Sequence, residues 1–74
     1  MQIAIDISLY PPIRKVIERL QKHEGVGAER NRMSTQLRGE FDVVIPALNT
    51  EIRKTFEEVP KAVFATKILN NLIN

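Results

Sequence analysis

Between Gln2 and Leu20 the hydrophobic period changes once, from two residues to about 3.6, and that change restricts the chain to folds that open with a strand followed by a helix. Ile3, Ile5, Ile7 and Leu9 alternate with Ala4, Asp6, Ser8 and Tyr10, which gives one apolar face and one mixed face. Pro11 and Pro12 end the run. Pro12 also suits the first turn of a helix, where an N–H would have no partner anyway. Ile13, Val16, Ile17 and Leu20 then form a single stripe, with Arg14, Lys15, Glu18, Arg19 and Lys22 outside it. Gly25 is the expected stop, with Lys22 and His23 near the helix's negative end.

The rest of the chain repeats this logic. Val26–Arg32 is expected as a second strand and Thr35–Glu40 as a third, joined by a tight turn around Asn31 to Ser34. Asp42 is the expected cap of a second helix burying Val44, Leu48, Ile52 and Phe56. Pro46 lies within it, so the helix is expected to start later or to bend there. After Pro60 the run Lys61–Leu69 predicts a last strand, and the final NNLIN a tail or an extra edge contact. The order β-α-β-β-α-β is the ferredoxin-like α+β arrangement. Its right-handed crossovers place the strands antiparallel in the order 4-1-3-2, with both helices on one face.

At 74 residues the chain forms one domain, 1–74, near the lower limit for a self-sufficient core, so the bare sheet face is expected to meet another copy. There is no cysteine, which excludes disulfides and thiolate metal sites and fits a reducing cytoplasm. The opening MQIAIDISLY alternates and contains an acid, unlike a signal peptide or membrane span, and the protein is expected to be soluble and cytosolic. A net charge of +2 is spread along the chain, with three Phe and one Tyr. Nucleic-acid binding needs a basic stripe interleaved with aromatics, so it is not expected.

In this topology the end of the first strand lies beside the start of the third. Ser8 and Tyr10 are therefore expected near Asn31, Met33, Ser34 and Thr35. Hydroxyls and an amide can read the ring nitrogens and exocyclic amine of a flat heterocycle, while Met and Tyr grip its faces. The same residues also suit a plain structural role, since Ser, Thr and Asn at a hairpin commonly satisfy their own backbone and Met fills gaps.

MSTQLRGEFD after a Gly-terminated helix, the opening IDISLYP and the closing KAVFATKILN together resemble the small thiamine-binding proteins related to YkoF, the thiamine and hydroxymethylpyrimidine-binding family. The likeness runs over nearly the whole chain. It implies a ferredoxin-like fold, dimers packed through their sheet faces that pair into tetramers, and binding of thiamine or its pyrimidine moiety without catalysis or cofactor. The family's Met-small-Thr element falls on Met33, Ser34 and Thr35, its Gly-Glu on Gly39 and Glu40, and its first-strand Ser on Ser8. Two features depart from the family: Pro11-Pro12 alone separates Tyr10 from Ile13, where members have a longer loop, and Pro46 interrupts the second helix.

Other chemistry finds little support. His23 is the one imidazole and has no second ligand at metal-binding spacing. Asp6 and Glu40 are expected on the outer sheet face, where either could neighbour a thiazolium or pair with a basic residue across an interface. Arg30 and Arg38 suit rim or interface positions. There is no Ser-His-acid set, Cys nucleophile or phosphate-cradling Gly loop, and no catalytic residue is assigned. An acylphosphatase of the same fold would need an Arg in a donating loop after the first strand, and YPPIR is short and Pro-blocked. A regulatory or structural oligomerisation module of ACT-like type is the alternative to a ligand binder.

Overall fold

The computed structural model describes residues 1–11, 14–30 and 34–70. Its elements are β1 (Gln2–Tyr10), α1 (Arg14–Lys22), β2 (Gly27–Arg30), β3 (Thr35–Glu40), α2 (Phe41–Glu58) and β4 (Val63–Asn70). The sheet runs β2-β3-β1-β4 with every neighbouring pair antiparallel, the expected order read from the other edge. β1 is central because its apolar row is unbroken. Ile3, Ile5 and Ile7 are each at most 2% exposed and form the core with Val16, Ile17 and Leu20 of α1, Leu37 of β3, and Val44, Ala47 and Leu48 of α2.

Register decides what shares a face. Ile3, Ile5 and Ile7 stand opposite Gly39, Leu37 and Thr35 on one side and opposite Asn70, Ile68 and Thr66 on the other. These rows face the helices. Ala4, Asp6, Ser8 and Tyr10, with Gln36, Arg38, Glu40, Ala65, Lys67 and Leu69, form the uncovered face.

Several boundaries differ from expectation. α2 begins at Phe41 with Glu40, not Asp42, at its N-cap position, and the Glu40 side chain makes no capping bond. That carboxylate accepts instead from the Met1 amino group at 2.7 Å and from Gln2 Nε2 at 2.9 Å, while Asp42 sits in the first turn, where a negative charge still suits the helix dipole. The bond to the Met1 amino group is the main reason the Glu40 carboxyl titrates below its ordinary range, against a smaller opposing push from burial. The helix starts before Pro46, not after it. Pro46 and Asp42 are both exposed, so the carbonyl left without an N–H partner lies on the solvent side. The buried stripe of α2 is Val44, Ala47, Leu48, Glu51 and Thr55, whereas Ile52 is half-buried and Phe56 is 46% exposed. β2 is described from Gly27 to Arg30, with Arg32 outside the described residues, and β4 begins at Val63 because Val59 to Ala62 is taken up by a turn closed by an Ala62 N–H to Val59 carbonyl bond.

Candidate functional site

The rim where β1 ends and β3 begins holds the described residues expected to bind a ligand. The fold divides them between two faces. Thr35 pairs with Ile7 and is 6% exposed, on the helix side. Ser8 is one residue further along β1, so alternation turns it to the uncovered face, where it is half-buried, and Tyr10 on that face is 57% exposed. The expected single cluster of Ser8, Tyr10 and Thr35 is therefore not formed: they share an end of the sheet but lie on opposite sides of it. Ser34, next to Thr35 just before β3, is half-buried. Asn31 and Met33 lie outside the described residues.

Thr35 is buried as a residue, yet the one buried side-chain polar atom without a hydrogen-bond partner among the described residues is Arg19 Nη2, not the Thr35 hydroxyl. Thr35 stands between Ile7 of β1 and the exposed Arg30 of β2, and at the same end of the sheet Leu9 and Phe64 face each other across β1 and β4 and pack on the core.

The uncovered face carries a different arrangement. Gln36 Nε2 donates to Asp6 Oδ1 at 3.2 Å, while Gln36 Oε1 accepts from Arg38 Nε at 3.0 Å and Nη2 at 2.6 Å. One amide thus links a carboxylate to a guanidinium across adjacent strands, and Asp6 and Arg38 are engaged within the chain.

A third group joins the helices. Glu51, 1% exposed, accepts from Arg19 Nε at 2.6 Å, and its other oxygen lies 3.1 Å from His23 Nε2. Arg19 also reaches Glu58 at 3.6 Å, and its Nη2 is buried without a partner. The acid that partners His23 lies on the other helix, at a position that apolar periodicity does not mark. No group of three or more His, Cys, Asp or Glu among the described residues is placed to hold a metal ion.

Burial pushes the Glu51 carboxyl pKa up, but the hydrogen bonds from His23 and Arg19, together with the Arg19 and Lys54 charges, outweigh it and leave the group below its ordinary value. A carboxyl lowered in the folded state stabilises the protein above its unfolded pKa and loses that contribution as pH falls through the folded one. Thermal stability is therefore expected to drop on acidification below about pH 4.5, and Glu51→Gln is expected to flatten that part of the profile. An unchanged acid limb in Glu51→Gln, measured by melting temperature against pH, would assign the acid sensitivity elsewhere.

No protein-family model matches this sequence, and no curated protein matches it. Solved structures share its fold. A hypothetical protein of Methanocaldococcus jannascii is 21% identical with a TM-score of 0.77, the alignment covering 99% of this chain and 84% of that one. A domain of unknown function from Bacillus cereus gives 23% identity and a TM-score of 0.74 over 96% and 77% of the two chains. A candidate thiamine biosynthesis/salvage protein of Thermotoga maritima gives 18% identity and a TM-score of 0.71 over 96% and 85%. At these identities the likeness establishes the ferredoxin-like α+β fold. No helix among the described residues is long and apolar enough to cross a membrane.

Proposed function

We propose that this protein is a non-catalytic, homo-oligomeric binder of thiamine or of its hydroxymethylpyrimidine moiety. The observation that carries this reading is Thr35 on the helix side of the rim, a residue only 6% exposed that brings a hydroxyl beside Ile7. A hydrogen bond from that hydroxyl to a ligand atom would contribute about 0.5–1.5 kcal/mol net. An aminopyrimidine offers ring-nitrogen acceptors and an exocyclic amine donor, and a hydroxyl serves either. Ser34 supplies a second hydroxyl beside it, and Asn31 and Met33 complete the proposed set. The fold likeness to the Thermotoga maritima candidate thiamine protein supports the ligand class.

In this reading Ser8 and Tyr10 do not touch the ring, since they face away from Thr35. They belong to the uncovered face, with Ala4, Val63 and Leu69, against which a second copy packs its own sheet. Burying a partly apolar sheet face in this way offsets the small core of so short a chain.

Isothermal titration with thiamine and with hydroxymethylpyrimidine tests the proposal: saturable heat with either supports it, and silence with both favours the regulatory or structural module. Thr35→Val separates function from fold. It keeps shape and removes the hydroxyl, so binding is expected to weaken several-fold, by roughly 0.5–1.5 kcal/mol. The melting temperature is expected to stay near that of the wild type, because the substitution keeps the buried shape. Unchanged affinity would remove Thr35 from the site.

A further inference from the structure

The two edges of the sheet are built differently. β2, at one edge, is four residues long and reads GAER, with Glu29 and Arg30 exposed. Short and charged, it has the features that keep an edge from pairing with other chains. β4, at the other edge, is eight residues long and reads VFATKILN, with every residue but the half-buried Phe64 exposed. Val63 is 54% exposed, Ile68 56% and Leu69 45%. Its outer row of backbone N–H and C=O groups has no partner strand among the described residues, and Lys67 is its single charged residue. The closest approach of the helices to the sheet is over β2 and β3, so the helix side of β4 is guarded chiefly by Phe56, whose ring meets Phe64 edge-on at 5.8 Å and is itself 46% exposed.

We infer that the free edge of β4 pairs antiparallel with β4 of a second copy of this chain, joining two sheets into one across a two-fold axis. This interface is distinct from packing through the uncovered face, and it does not depend on the ligand.

The sequence also selects the register. A two-fold axis perpendicular to the sheet pairs residues of like face, so it must pass beside one residue of β4. Centred on Thr66, it sets Val63 against Leu69, Phe64 against Ile68 and Ala65 against Lys67, each in both directions. Centred on Lys67, it would set two ammonium groups directly opposite each other, an arrangement that destabilises cross-strand pairs. The Thr66 register also brings the exposed Ile68 of each copy beside the Phe56–Phe64 pair of the other, covering apolar surface on the helix side.

Because the chain has no cysteine, a single introduced one reports the pairing. Residues directly opposite in an antiparallel pair lie within the Cα separation a disulfide spans. Thr66→Cys is therefore expected to give a covalent dimer under mild oxidation, reversed by reductant. Glu29→Cys, on the charged edge, is expected to stay monomeric on denaturing gels. Thr66 faces the helix side, so face-to-face packing of sheets cannot bring two copies of it together. Thr66→Lys, which places like charges on the axis, is expected to halve the assembly mass measured by light scattering. Absence of the Thr66→Cys dimer, or equal cross-linking by Glu29→Cys, overturns the inference, as does a Thr66→Lys variant that folds and keeps the full assembly mass.

Discussion

Glu51→Ala is expected to destabilise the fold by about 3 kcal/mol, near the lower end of what removing one partner from a buried ion pair costs. The carboxylate is almost fully buried between α1 and α2 and is the partner of both Arg19 and His23. Its removal strands a guanidinium that already has one buried nitrogen without an acceptor. The Arg19 side chain is 26% exposed, so water and Glu58 recover part of the loss, which places the effect at the low end of the range. Chemical denaturation should show a lower midpoint with little change in slope. Arg19→Met in the same background should return part of the stability, since it removes the unpaired charge and keeps the apolar stem. A Glu51→Ala protein as stable as the wild type would mean that the clasp contributes no net stability.

Gly39→Ala is expected to cost about 3 kcal/mol or to prevent folding, at the upper end of overpacking effects. Gly39 has φ of +154°, a conformation side chains rarely adopt, and a methyl group there would lie 2.5 Å from the Gly25 carbonyl oxygen and 2.7 Å from Val44 Cγ2. The first contact is with backbone, so no side-chain rotation relieves it. Gly39 stands opposite Ile3 on the helix side, just before the chain turns from β3 into α2. The absence of a side chain lets the loop after α1 lie directly on the sheet. A melting temperature within a few degrees of wild type would show that this contact opens without penalty. The glycine of the Gly-Glu pair thus has a steric reason to be there, and Glu40 holds the Met1 amino group, so neither needs a ligand to explain it.

How much of the protein was legible in its sequence differs from element to element. The alternation of β1 and the stripe of α1 were unambiguous because burial on one face leaves a period that needs no knowledge of neighbours. α2 is legible as a helix, but apolar periodicity points to Ile52 and Phe56 on its buried face, whereas the fold buries Glu51 and Thr55 instead. Glu51 is buried because Arg19 and His23 approach from α1, and Thr55 donates its hydroxyl to the Glu51 carbonyl at 2.7 Å. The Thr55 bond lies within α2, but the partners of Glu51 are invisible until the helices are placed side by side. The N-cap was misplaced for a related reason, since Asp42 has the better capping side chain, but pairing of Gln2 with Glu40 carries β3 right up to the helix.

The candidate site shows the same division. Topology placed the end of β1 beside the start of β3, and the fold agrees. What topology could not supply was register, and a single step in register decides which face a side chain takes. Ile7 stands opposite Thr35, so Thr35 goes inward and Ser8 outward, and one expected cluster becomes two separate surfaces.

By itself, the sequence determined the order of strands and helices, the antiparallel sheet with its helices on one side, and the apolar rows that form the core, because hydrophobic period and turn residues are local properties of the chain. Only the tertiary structure decided which hydroxyl turns inward at the rim, which acid joins the two helices, and which edge of the sheet stands open, because each depends on residues far apart in the chain meeting at one place.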